Sequence, residues 1–271
     1  MKTLSKAIVI LAIAIVVVGG GIAAYLLTRG PEVYELSYNF KPGESYVYEM
    51  KSKTESLGTS VELSLSETLD VLQVMDHEVN IRDSSAIQIT ITGGAQQNAV
   101  VVMTFRMTNK GVRSAIQIEK VEPPELRTAM EQARGQLEGY LKAIYHYPTD
   151  PVPVGREWSV PIDYQFQQAG VSMTLTGEAR SSIVARESIT VRAGTFDCWR
   201  LAHKINASGE MVLAGQTVTM SMSGNATSWI DPLGGAQTKV ELPLSMKLKA
   251  AGQELEVPMN VTIELIKHQG P

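Results

Sequence analysis

The sequence predicts a mainly β protein. Long antiparallel, meandering strands form a curved sheet or half-barrel built from a duplicated unit, with one amphipathic helix (about 124–146) packed on it and an N-terminal transmembrane helix. Three observations carry this. Apolar residues alternate with polar ones over long stretches, glycine-containing breaks separate those stretches, and an uncharged apolar run opens the chain. Period-two alternation places one side-chain set on each face of a pleated strand, so the expected sheet has one dry face.

Residues 1–6 read as a cytoplasmic N-terminus and residues 7–27 as a signal anchor. The run from Ala7 to Leu27 covers 21 positions without Lys, Arg, Asp or Glu. At ~1.5 Å per residue such a helix spans roughly 30 Å, the hydrocarbon thickness of a bilayer. Lys2 and Lys6 precede it and only Arg29 follows closely, so the positive-inside bias places the N-terminus in the cytoplasm and the rest of the chain outside. The partner implied is a membrane, engaged through residues 7–27, with the protein at the cell membrane as a single-pass envelope protein. Two other readings stay open: a cleaved signal peptide, for which Gly21-Ile22-Ala23 offers small residues, and a pilin-like leader ending at Lys6-Ala7.

After a linker at 28–35, a first β unit is expected over 36–122. Val61, Leu63, Leu65, Leu69 and Val71 share one parity, as do Ile87, Ile89 and Ile91, and Val101, Met103, Phe105 and Met107. Leu57-Gly58 and Asn109-Lys110-Gly111 supply breaks, since glycine reaches the positive φ that tight hairpins require. Residues 123–148 break the pattern. Pro123 and Pro124 start the segment, Glu125 follows, and Leu126, Met130, Ala133, Leu137, Tyr140, Leu141 and Ile144 recur at three-and-four spacing before Pro148. This predicts a helix whose apolar stripe packs on the dry face, weakened at Gly135 and Gly139 by about 1 kcal/mol each.

A second β unit is expected over 149–268, the two units together forming one extracytoplasmic domain. Val218, Met220 and Met222 alternate with Thr and Ser, and Leu255, Val257, Met259, Val261, Ile263 and Leu265 alternate with Glu, Asn and Thr. Ala169-Gly170, Ala214-Gly215, Ala251-Gly252 and Asp231-Pro232-Leu233-Gly234-Gly235 mark the turns. Such short connections favour antiparallel hairpins, because parallel strands need a crossover of a dozen residues or more. Duplication is suggested by Pro42-Gly43-Glu44-Ser45-Tyr46 and Val154-Gly155-Arg156-Glu157-Trp158. Each leads into a strand that reaches a glycine, Gly58 or Gly170, 15 residues after the first.

Composition excludes several classes. A net charge of −4 and 24 basic against 28 acidic residues leave no electrostatic footprint for nucleic acid. A single cysteine, Cys198, means no intrachain disulfide and no acylated N-terminal cysteine; within Phe196-Asp197-Cys198-Trp199 it reads as buried and inert. His77, His146, His203 and His268 have no metal-ligand spacing, and no nucleophile elbow, P-loop or dinucleotide fingerprint occurs. No cofactor, metal or catalytic residue is expected, and the chain reads as a non-enzyme. Asp163 and Asp197, each beside aromatic residues, are the carboxylates whose neighbours could tune them. The other acidic residues read as a solvated strand face.

The Gly155-x-x-Trp158 start and the Ala193-Gly194-Thr195-Phe196-Asp197-Cys198 strand opening, set in this architecture across 36–266, resemble the bacterial lipoprotein-carrier group, the LolA/LolB-like envelope proteins. The resemblance implies a curved antiparallel sheet that wraps helices and encloses an apolar cavity. The chain departs from that group in having a membrane span in place of a cleaved or acylated leader, and in having two β units.

Two functions follow. In one, sheet and helix enclose a space for a lipid or other apolar ligand, lined by Trp158, Tyr140 and Ile144, with Met103, Met107, Met220 and Met222 suited to an irregular cavity. In the other, the domain is a closed, non-catalytic surface module that works through protein contacts on its strand edges. Asn206, Asn225 and Asn260 each start an Asn-x-Ser/Thr tripeptide and are glycosylation candidates.

Overall fold

The structure is a computed structural model that describes residues 38–56, 59–91, 96–109, 112–128, 130–131, 153–168, 171–213, 216–250 and 253–270. Eleven strands form one sheet: β1 (Ser45–Ser56), β2 (Thr59–Met75), β3 (Glu78–Ile91), β4 (Gln97–Thr108), β5 (Arg113–Glu122), β6 (Trp158–Gln168), β7 (Val171–Val191), β8 (Gly194–Leu213), β9 (Gln216–Ile230), β10 (Gln237–Ala250) and β11 (Gln253–Gln269). Their order is β5-β4-β3-β2-β1-β11-β10-β9-β8-β7-β6, with every neighbouring pair antiparallel. The chain meanders outward from β1 to β5, then returns from the far edge at β6 until β11 lies beside β1. Ser45 therefore pairs with Gln269.

The alternating residues occupy one face, as their parity predicts, and that inner face is dry. One contiguous apolar cluster draws on all eleven strands, from Tyr46, Leu63, Val79, Phe105 and Ile116 to Val160, Met173, Ile205, Met220, Val240 and Val257. Ile205 and Val240 are fully buried, and each such side chain contributes roughly 1.5–3 kcal/mol. The outer face is polar and laced with ion pairs such as Lys51–Glu49 at 3.0 Å and Lys53–Glu55 at 2.8 Å. Exposed pairs of this kind are worth at most about 1 kcal/mol each, so the inner face holds the fold.

The sheet covers its apolar face by curling. β7 and β8 run beyond the ends of β9 and β10, and the tip of their hairpin folds back onto β11, where the Ala193 N–H donates to the Leu265 carbonyl at 3.3 Å. Arg192 in that tip donates to Glu49 of β1 and Glu264 of β11, joining the β7–β8 hairpin to strands beyond β9 and β10 in the sheet. Arg192→Ala should weaken the clamp by less than about 1 kcal/mol, because the guanidinium is half exposed and both carboxylates keep contact with water. A salt titration of the melting temperature checks this: the Arg192 contribution should fade as salt rises.

Three expectations meet the structure differently. The amphipathic helix over 124–146 is corrected. The chain leaves β5 into a single 3-10 turn, Pro124–Leu126, with no buried residue, and only 127–128 and 130–131 continue in helical conformation. No helix packs on the sheet among the described residues, and the remainder of the predicted helix, with Tyr140 and Ile144, lies outside them. Within the described residues the inner-face side chains of the strands bury one another over most of the sheet, and the one described turn of this segment adds no buried side chain to them. The transmembrane helix over 7–27 also lies outside the described residues, among which no helix is long and apolar enough to cross a membrane. Finally, the strands of the two expected β units lie in one sheet, where β1 pairs with β11. Pro161, on the edge strand β6, removes a donor from an otherwise open ladder.

Candidate functional site

The two ends of the curled sheet differ. At the lower end, where the chain enters at Tyr38, successive backbone groups tie distant turns together. Tyr38 N–H donates to Asn109 in the β4–β5 turn at 2.8 Å, and Asn39 N–H donates to Gly234 in the β9–β10 turn at 3.2 Å. Phe40 stacks in a tilted arrangement between Tyr38 and Tyr46, with both centroid separations 5.1 Å, and Tyr46 stacks on His268 at 4.6 Å. The Tyr46 hydroxyl donates to Glu44 at 2.9 Å, and the same carboxylate accepts from the Lys41 N–H. Burial, then Glu44, pushes the Tyr46 phenol well above its ordinary value. An aromatic plug thus closes this end.

Toward the upper end the inner face passes from buried to half-buried. Val61 faces Ile91, Leu65 faces Ile87, Val218 faces Met211 and Leu248 faces Leu255, and in each pair at least one side chain is only partly buried. Just below this rim lies a band of methionine. Met173 faces Met211 across β7–β8, Met222 faces Met246 across β9–β10, and Met220 and Met259 flank them. Methionine is unbranched and polarizable, so a wall built from it repacks around irregular shapes more readily than one of Val or Ile.

Polar groups interrupt the apolar face at two places. In the first half, Glu67 and Asp83 share a hydrogen bond, Ser85 donates to Asp83 at 2.8 Å, and Arg113, stacked over Phe105 at 4.5 Å, attracts both carboxyls. Burial first, then Asp83, pushes the Glu67 carboxyl up to about 8; burial also raises Asp83. Desolvation, and the like charge each carboxyl would present to the other, both oppose ionisation here, while Arg113 favours it. In the second half, His203 is bracketed by Ser181 on Nδ1 at 2.9 Å and Ser228 on Nε2 at 2.8 Å, and all three are buried. This is a satisfied polar rung across β7, β8 and β9, without access for a substrate.

The sequence-predicted residues are scattered. Trp158 opens β6, half-buried, packing against both the main cluster and a smaller one of Ile183, Trp199, Leu201 and Ile230, away from the methionine band. Asn206, Asn225 and Asn260 are exposed on the outer face of β8, β9 and β11. Asp163 is exposed, and Asp197 is exposed and paired with Arg186 at 2.7 Å. Cys198 is fully buried against Thr238 at 3.2 Å, and burial pushes its thiol up to about 11. It should resist a thiol reagent at pH 8 in the native protein and react fully once unfolded, which a colorimetric thiol assay checks. Among the described residues no three His, Cys, Asp or Glu side chains gather to hold a metal. Sequence reasoning missed Glu67, Asp83 and His203, although each stands on the apolar parity of its strand: Glu67 between Leu65 and Leu69, Asp83 between Ile81 and Ile87, His203 between Leu201 and Ile205.

Taken together, these features define a class: a single antiparallel meander of eleven strands, curled around an apolar interior that is closed at one end and lined with methionine toward the other. No protein-family model matches the chain, and no curated protein matches it in sequence. Solved structures do. A candidate lipoprotein from Parabacteroides distasonis is 13% identical over 87% of this chain and all of its own, with a TM-score of 0.37. A candidate exported protein with YmcC-like fold from Bacteroides fragilis is 10% identical over 88% of this chain and all of its own, with a TM-score of 0.31. Likeness at this level supports no argument about function, and neither structure is named as a LolA/LolB-like carrier.

Proposed function

We propose that this chain is a membrane-anchored extracytoplasmic β protein that takes a lipid acyl chain or another apolar ligand into the upper interior of its curled sheet, without catalysis. The observation that carries the reading is the asymmetry of the inner face: an aromatic plug below, and above it a methionine band under a half-buried apolar rim. Placement outside the cytoplasm rests on the apolar run at 7–27 and the lysines before it. In a host that glycosylates, Asn206, Asn225 and Asn260 would be acceptors, since all three point away from the interior.

The reading is tested on the full chain in phosphatidylcholine vesicles carrying a diazirine-tagged palmitate. Photolysis should place adducts on rim and band peptides, at Met220, Met222 and Leu248. Adducts confined to residues 7–27 would contradict it. Met222→Lys, which puts an unpaired ammonium into the band, should cut interior adducts by roughly tenfold, because a desolvated charge opposes an apolar ligand.

A further inference from the structure

We infer that the lower, plugged end of the domain sits directly on the bilayer surface, so that the apolar rim points away from the membrane. This deepens the proposed function and rests on its reading of residues 7–27 as the anchor. Three observations lead to it.

First, the chain arrives from the anchor at this end. Tyr38, the first described residue, is hydrogen-bonded to Asn109, whose own N–H donates to His77 in the β2–β3 turn. Residues 28–37 separate the anchor from Tyr38, and ten residues reach at most about 35 Å even fully extended. Secondly, this end carries exposed apolar side chains where a soluble surface would carry charge. Leu233, at the tip of the β9–β10 turn, is 82% exposed, and Leu72, Val74 and Met75, at the end of β2, are 53%, 39% and 36% exposed. The β9–β10 turn is bonded to the entering segment at Asn39, and the β2–β3 turn is linked to it through Asn109, which accepts from Tyr38 and donates to His77. Thirdly, beside Met75 the surface opens into a hollow lined by Asp76, His77, Glu78 and Arg106, groups of both signs that match a zwitterionic headgroup better than an anionic or cationic partner. Apolar side chains at turn tips with mixed charge around them are the chemistry of an interfacial contact, in which apolar groups enter the headgroup boundary and polar ones stay at its surface.

The test uses the full chain in vesicles of palmitoyl-oleoyl phosphatidylcholine. A bimane label is placed at Leu233→Cys, at His77→Cys as a second lower-end position, and at Thr217→Cys on the outer face of the upper end; Cys198 is buried and stays unlabelled. Quenching by a phospholipid bearing a doxyl group near its headgroup should be roughly threefold stronger at 233 and 77 than at 217, with the reverse order for aqueous iodide. Equal iodide access at all three labels, in chain that floats with the vesicles, would overturn the proposal while leaving the anchor standing. So would stronger lipid quenching at 217. Chain that does not float with vesicles would remove the anchor reading, and the proposal with it.

Discussion

Gly209→Val is expected to unfold the domain or lower its stability by about 3 kcal/mol or more. A Cβ at Gly209 would stand 1.8 Å from the Thr174 carbonyl oxygen and 2.9 Å from the Leu175 Cα, so the clash is with backbone and no rotamer relieves it. Gly177 and Gly224 are in the same position: a Cβ there would meet the Asn206 oxygen at 2.1 Å and the Pro243 oxygen at 2.4 Å. The three lie on neighbouring strands β7, β8 and β9, at the parity of the inner face, with Gly177 opposite Ala207 and Gly209 opposite Leu175 and Met220. Omitting Cβ at these points lets the strands bend inward, which is how a long sheet turns its dry face onto itself. Thermal unfolding followed by circular dichroism checks this. Gly270→Ala, whose added Cβ meets nothing within 4 Å, should melt like the parent. A Gly209→Val melt indistinguishable from the parent would show that the curl does not depend on glycine.

The second large effect is a change in how stability depends on pH. Glu67 holds its proton in the folded protein up to about 8, against an ordinary carboxyl value of 4.5, because burial and the neighbouring Asp83 oppose its charge. Between those two values the folded state binds more protons than the unfolded state, so stability falls as pH rises. The contribution is fully present below about 4.5 and lost as pH climbs through about 8. Asp83, raised by burial, adds in the same direction. Glu67→Gln keeps the shape of the neutral carboxyl and cannot ionise, so its stability curve should be flatter between pH 5 and 9. At pH 9 the variant should exceed the parent by about 2 kcal/mol, while at pH 5 the two should differ little. Urea unfolding at those two pH values measures it. Parallel curves for parent and variant would mean that Glu67 ionises freely in the fold.

Much of the sheet was legible because its signal is local. The alternation from Leu255 to Leu265 requires only that one strand have a wet and a dry side, and β11 has both. The pairing of β1 with β11 was not legible: Ser45 and Gln269 are brought together by the return path of the whole meander, and nothing near either residue specifies the other. The helix expected at 124–146 came from genuine three-and-four spacing, but spacing cannot say whether the face it would cover is already covered. Here the β7–β8 tip closes over β11, and Arg192 bridges Glu49 and Glu264. Glu67, Asp83 and His203 were legible in principle. Their parity placed them inside, yet an acidic strand residue is usually solvated, and only the positions of Arg113, Ser181 and Ser228 show how each is satisfied. The methionine band was half legible: Met220 and Met222 were assigned to the interior from their strand, whereas the facing of Met246 to Met222 across β9–β10 and of Met173 to Met211 across β7–β8 depends on register.

The most direct measurement of the central claim uses the protein's own reporters. The chain has 12 methionines, and their carbon-13 methyl signals can be followed in the full chain held in phosphatidylcholine nanodiscs while palmitate is added. Saturable shifts at Met220, Met222 and Met246, with Met107 at the lower end unmoved, are the result expected of an interior that takes an apolar chain through its upper rim. If every interior methyl stays fixed while palmitate partitions into the disc, the interior is a closed core and the binding reading is wrong.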